Sequence, residues 1–292
     1  MKRTSSIIYD SDKITPSNLP LQISAFKDIS AFIFHEAQQR YNLNANIHYV
    51  QNDNEAHNDL MNKTAEIVFM SYDDTLSIAL QDKCSDIAAV IPVHFGILDL
   101  CGSINLPTQN IIGIDTDSGY ARALRYYLTQ TYTTSEYAEF IFTKAGATNL
   151  RYTALSNGAL NATLLSPPFS YEPGTAVMER MYNTIGLYQG IVANINKSWL
   201  TNLDNQSRLN NFVEIFTQTI QFIANYPNET VSDLQNFYNL SLATATNVYN
   251  RLLQPDGLSM KPTFNLAALT KAEFLFNWST GIAIPTNRTW IV

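Results

Sequence analysis

Apolar and polar positions predict a strand-then-helix order that repeats from residue 21 to about residue 165. Residues 21–24 alternate as a strand, and Asp28 then caps a helix in which Ile29, Phe32, Ile33, Glu36, Ala37 and Tyr41 keep helical spacing. Residues 47–50 read as a second strand, Asn54 opens a helix through Leu60 and Met61, and residues 66–70 read as a third strand. Ser71-Tyr72-Asp73-Asp74 forms a cap-rich turn into a helix carrying Leu76, Ile78, Ala79 and Leu80. Residues 86–93 are almost continuously apolar, as expected of a central strand covered on both faces. A second, smaller series follows, with strands at 111–114, 139–143 and 161–165 and helices at 120–132 and 147–156. From residue 203 onward the pattern is helical, at 209–225, 231–238, 242–253 and around 266–278. Helices between strands imply right-handed crossovers and mainly parallel sheets, hence an α/β fold.

Composition narrows the function classes. Of 292 residues, 46% are hydrophobic and 15% charged, enough apolar material for a large core or two ordinary ones. Eighteen basic residues stand against 25 acidic ones, a net charge of -7 with no Lys/Arg cluster, so nucleic acid is excluded as a partner. No apolar run approaches the roughly 18 residues of a spanning helix, so no membrane insertion is expected. Residues 1–20 lack periodicity and are expected to form a loose arm. Asp10, Asp12 and Lys13 fall where an export signal would be apolar, which sets the expectation of a cytoplasmic protein. A mature domain whose signal was replaced by Met1 is the alternative. Cys84 and Cys101 show neither metal-ligand spacing nor a disulfide framework, so no metal and no cofactor is expected. Eight Asn-x-Ser/Thr sequons occur in so Asn- and Thr-rich a chain that they carry little weight.

Four stretches carry a family resemblance. NDLMNKTAEIVFMSYDDTLSIAL resembles a helix, turn and strand followed by Ser-x-Asp, with Glu66 where Asp is usual; NIIGIDTDSGYARALRYYL resembles a strand, Ser-Gly turn and helix. TALSNGALNATLLSPPF resembles an Ala-Leu-x-x-Gly-x-x-Asp-Ala passage with Asn161 in place of the Asp, and Ala224-Asn225-Tyr226-Pro227 resembles an Asn-Pro helix stop. Together they are similar to the nitrate, sulfonate, taurine and thiamine-precursor group of type II periplasmic-binding-protein-like proteins. That resemblance implies two α/β lobes, each a mainly parallel sheet flanked by helices, joined by two hinge strands and closing on a small organic ligand. It implies lobe one at 21–95 and 192–292 and lobe two at 96–191.

In open α/β sheets ligands bind beyond the carboxyl ends of the strands. Four strand-to-helix turns qualify, and they nominate Phe26, Asp28, Ser71, Tyr72, Asp73, Asp117, Ser118, Gly119, Tyr120, Ser166, Pro168 and Phe169 as ligand-binding residues. His94, at the end of the fourth strand, joins them. The Ser118-Gly119 turn offers free helix-start N–H groups that suit a sulfonate or carboxylate. However, Asp28, Asp73, Asp74, Asp115 and Asp117 lie on the same turns with only Lys27 among them, which favours an amine or an aminopyrimidine such as a thiamine precursor. Asp and Ser also serve at such turns simply as helix caps, and a buried histidine is as readily structural. No catalytic motif is recognised. The alternatives are an enzyme of the same fold in thiamine-pyrimidine or related biosynthesis, and a cytosolic ligand sensor. A monomer is expected, read by a permease or a regulatory partner.

Overall fold

A computed structural model describes residues 19–292; the expected arm at 1–20 lies almost wholly outside them. Two five-stranded sheets form two lobes. The first contains β1 (Leu21–Phe26), β2 (Ala45–Val50), β3 (Ile67–Ser71), β4 (Ile87–Pro92) and β10 (Ile191–Asn196), in the order β2-β1-β3-β10-β4. The second contains β5 (Asp99–Gly102), β6 (Asn110–Ile114), β7 (Phe140–Lys144), β8 (Ala162–Leu165) and β9 (Val177–Arg180), in the order β7-β6-β8-β5-β9.

Each sheet is parallel except where a crossing strand enters it. β1 pairs in parallel with β2 and β3, and β6 with β7 and β8. β10 runs antiparallel to β3 and β4, and β5 antiparallel to β8 and β9. The reason is geometric. β5 arrives from the first lobe and β10 from the second, so each enters its sheet at the edge facing the other lobe. That is the edge at which the parallel strands end, and the entrant must run the opposite way.

The first sheet is covered on one face by α1 (Ile29–Tyr41) and α8 (Leu203–Asn225), backed by α9 (Pro227–Tyr238) and α10 (Leu242–Leu252). Asp28 caps α1 by accepting from Ser30 N at 2.9 Å, and Asn42 in the left-handed region ends it. Phe34 meets Phe69 edge-on at 4.8 Å in this core, a contact worth about 0.5–1.5 kcal/mol beyond area burial. The other face holds α2 (Asp53–Met61). Glu66, standing where the resemblance has Asp, accepts from Arg208 Nη1 at 2.6 Å and Nη2 at 2.8 Å, tying β3 to α8. Asn161 accepts from Ile111 N at 2.7 Å, stitching the start of β8 to β6.

The second sheet carries α4 (Tyr120–Thr131), α6 (Thr148–Ser156) and the short α5 (Thr134–Tyr137) and α7 (Met181–Ile185). A third apolar cluster crosses between the lobes. It joins Tyr72 and Leu76 of α3 (Tyr72–Leu76) to Ile112 and Leu124 of the second lobe through Leu269, Ala272, Leu275 and Phe276 of α11 (Leu266–Thr280). The chain end returns to the first sheet, where Ala89 pairs with Ile291.

Candidate functional site

Five strand ends turn into helices at the seam between the lobes: β1 into α1, β2 into α2, β3 into α3, β6 into α4 and β7 into α6. They enclose a pocket lined from the first lobe by Phe26, Asp28, Asp53 and Ser71, and from the second by Asp115, Tyr120, Thr148 and Arg151 among others. Its free volume is only about 30 Å³, room for one or two waters. Contacts across the seam hold it this narrow. Ala147 N donates to the Gln51 carbonyl at 2.9 Å, and Thr116 Oγ1 donates to Asp53 Oδ2 at 3.1 Å.

Half of the lining is apolar, and among its ionisable groups Asp28, Asp53 and Asp115 outnumber Arg151. Asp74 accepts from Ser71 Oγ at 2.6 Å. The point where a Cβ would stand on Gly119 lies 3.1 Å from Asp74 Oδ2 and 3.4 Å from Asp53 Oδ2, so carboxylates from α2 and α3 meet at the start of α4. Gly119 has φ 56°, a left-handed conformation that glycine adopts without a Cβ penalty. Burial, followed by the charges of Asp74 and Asp115, pushes Asp53 well above the usual carboxylate range. Burial raises Asp115 to about 6 against the pull of Arg151, and Asp74 adds to the rise. Burial likewise raises Asp74, opposed by the Ser71 and Ser118 hydroxyls, and Asp28, opposed by the Ser30 N–H. Asp115 Oδ1 and the Tyr120 hydroxyl are buried atoms with no protein partner.

Two arginines that the turn-by-turn charge count leaves out sit one helical turn inside their helices. Arg151, 4% exposed, donates from Nε to the Leu164 carbonyl at 3.2 Å and from Nη2 to Thr148 Oγ1 at 3.1 Å. Its charge faces Asp115 and Asp53 without pairing directly with either. Arg122 pairs across the seam with Asp73, which also accepts from Gly119 N at 2.8 Å. Asp73 is fully buried, and its carboxyl is raised to about 7 by burial, with Arg122 opposing. The expectation that only Lys27 offsets these carboxylates is therefore corrected.

Of the residues nominated from sequence, Phe26, Asp28, Ser71 and Tyr120 line this pocket. Ser118 and Gly119 stand beside it through Thr116 and Asp74. Asp73 joins the seam ion pair. The others lie elsewhere. Tyr72 is fully buried, its hydroxyl donating to Glu273 at 3.0 Å and accepting from Trp290 Nε1 at 2.8 Å. Asp117 points outward to Arg125 at 3.0 Å and Lys144 at 2.8 Å. Pro168 is buried behind β8, and Phe169 packs on Tyr152 with ring centroids 5.8 Å apart. Ser166 is buried with its hydroxyl unpartnered. His94, 1% exposed at the first crossing, accepts from Gly96 N at 3.3 Å through Nδ1, its Nε2 has no partner, and burial lowers its pKa to about 3.

Asp53, Thr148 and Arg151 were not nominated. Asp53 reads as an ordinary acidic residue in a helix first turn, and nothing local shows that its turn faces a second lobe. The strand-to-helix rule applied to β2 and β7 would have found both turns. Among the described residues, no group of three or more His, Cys, Asp or Glu could hold a metal ion, and no helix is long and apolar enough to cross a membrane.

Neither a protein-family model nor a curated protein sequence matches the chain. Solved structures do. A zinc-bound ligand-binding component of an ABC-type import system from Staphylococcus aureus superposes with a TM-score of 0.75 at 12% identity, covering 94% of this chain and 96% of that one. A Candida albicans gene product described as having the generic periplasmic binding protein fold gives 0.68 at 12%, covering 94% and 96%. The periplasmic nitrate-binding protein of Synechocystis PCC 6803 gives 0.68 at 7%, covering 94% and 84%. The expected cytoplasmic location is corrected by these likenesses, which run to periplasmic and import-system binding proteins along nearly the whole chain. The strand orders, the two antiparallel crossing strands and these superpositions together give the chain a type II periplasmic-binding-protein-like fold.

Proposed function

We propose that the chain binds one small organic solute between its lobes and performs no chemistry on it, and that the solute carries a basic nitrogen. The observation that carries this reading is the charge of the pocket. Asp28, Asp53 and Asp115 line it and Asp74 stands behind Ser71, while Arg151 is the one nearby guanidinium without a direct carboxylate partner. A cation or an aminopyrimidine-type N–H donor satisfies such a lining, and an anion is repelled by it. The α4 N-terminus, the feature that favoured a sulfonate, already directs the Gly119 N–H at Asp73. Lobe one is taken as 21–95 with 192–292 and lobe two as 96–191. The neighbours' import-system descriptions make a membrane permease the first partner to test, with a monomeric binder as its client.

Thermal denaturation with benzamidinium, 4-aminopyrimidine and benzenesulfonate tests the reading. The nitrogen bases are expected to raise the melting temperature, by the equivalent of about 2.7 kcal/mol at a hundredfold excess over Kd. Asp53→Asn is expected to remove most of that shift. A shift with benzenesulfonate alone contradicts the reading.

A further inference from the structure

The crowding of carboxylates has a thermodynamic consequence for the site just proposed. Asp74 Oδ2 and Asp53 Oδ2 both approach the Gly119 backbone, and Thr116 donates to Asp53 while sharing a 2.9 Å hydrogen bond with Ser118. Asp115 closes the ring from the second lobe with one oxygen unpartnered. Every charged element packed against this group can be counted. α1 contributes Asp28; α2 contributes Asp53 and, farther along, His57; α3 contributes Asp73 and Asp74. α4 contributes Tyr120 and Arg122, α6 contributes Arg151, the segment before β10 contributes Tyr188 against Asp73 and Asp74, and Tyr49 of β2 and Tyr238 of α9 face Asp28. Arg122 pairs with Asp73 and its charge also reaches Asp74, while Arg151 faces Asp53 and Asp115, so two guanidinium groups, one of them already paired, face more carboxyls than they can match. Asp74 and Asp53 oxygens that both lie within 3.4 Å of one point beside Gly119, in a covered site, do not both ionise freely; some carboxyls of the group retain protons, and the group titrates as a unit.

We propose that solute binding here is proton-coupled: in the free protein Asp53, Asp74 and Asp115 share protons, and a cationic solute displaces them into solvent. This rests on the cation-binding reading above and adds its regulation. The charge balance is simple. One positive charge enters with the solute and up to one proton leaves, so the net charge of the site is conserved and the carboxylate vacated by the proton pairs with the cation. Affinity then rises with pH across the range where the group gives up its protons, and the solute is released in acid. The slope is up to tenfold in Kd per pH unit for each proton exchanged.

The experiment has two arms on the full chain. In the first, carboxyl ¹³C shifts of the aspartates are followed against pH without solute. Asp53, Asp74 and Asp115 are expected to titrate above the usual range and in overlapping steps, and Asp115→Asn is expected to lower the midpoints of the other two. Independent titration in the ordinary acid range overturns the inference even where a cation binds. In the second, benzamidinium, which keeps its charge throughout, is titrated calorimetrically at pH 6 and pH 8 in two buffers of different ionisation enthalpy. Net proton release near pH 6 that vanishes by pH 8, and is reduced in Asp53→Asn, supports the coupling. Binding with no proton release at either pH overturns the coupling and leaves the cation reading standing. Failure of benzamidinium to bind at either pH overturns both.

Discussion

The seam between the lobes has two halves built on opposite plans. Around α3, α4 and α11 it is apolar and its carboxylate and guanidinium pair directly: Leu269, Ala272, Leu275 and Phe276 fill it, and Asp73 Oδ2 has Arg122 Nη1, while Asp73 Oδ1 and Arg122 Nε stay without a partner. Around the ends of β1, β2 and β6 it is narrow and unmatched, an apolar wall set with carboxyls that outnumber the arginines, Arg151 and Arg122, whose charges reach them. A buried group whose requirements are met inside the protein contributes to cohesion. A buried group whose requirements are unmet costs stability and is retained where something else completes it. The first half holds the lobes together, and the second is where the proposed solute would complete the lining.

The largest effects should come from the matched half. Phe276→Ala, at a fully buried position whose ring lies 4.9 Å from the Arg122 guanidinium, is expected to cost about 3–5 kcal/mol in urea denaturation. If the loss is under about 1 kcal/mol, α11 does not bind the lobes together. Arg122→Met strands a fully buried carboxylate and should cost about 3–5 kcal/mol at pH 8. Asp73 is already raised to about 7 with its partner present, so without Arg122 it takes up a proton more readily. The penalty should therefore shrink as pH falls, and adding Asp73→Asn should recover most of it at pH 8. A penalty independent of pH would show that packing, not charge, was lost.

The unmatched half predicts a smaller effect of opposite sign. A carboxyl raised on folding, such as Asp115 at about 6, favours the folded state while both states hold the proton, and that advantage is lost as pH rises through its folded value. Asp115→Asn should thus stabilise the free protein at pH 8 by at most about 3 kcal/mol and change it little near pH 4. Destabilisation at pH 8 would mean that Asp115 is satisfied by its surroundings. His94 gives a control outside both halves. Its pKa is lowered on folding, to about 3, so the stability it contributes is full above its usual value near 6.5 and declines as pH falls from there. In His94→Gln, stability should fall less between pH 6.5 and pH 4 than in the parent chain.

The sequence made the matched part of each lobe legible and left the seam obscure, for physical reasons. Helix caps such as Asp28 and Ser71 act within a few residues, so their signal is local and the structure carries both. β5, β9 and β10 were not predicted. β5 and β9 have four residues each, and an antiparallel entrant from another lobe breaks the strand-helix rhythm that reveals the rest. The candidate site depends on which turns face one another. Asp53 and Asp115 are 62 positions apart and meet only because two sheets oppose their strand ends. Arg151 was overlooked because an arginine inside a helix usually reads as surface.

As proposed, the unmatched half of the seam selects a positively charged or N–H-rich solute. Native mass spectrometry of the purified protein, releasing and identifying the small molecule that accompanies the chain, decides between solute classes. A compound with at least one basic nitrogen is expected, lost when Asp53→Asn and Asp115→Asn are combined; a sulfonate, nitrate or other anion carried in that pocket overturns the proposal.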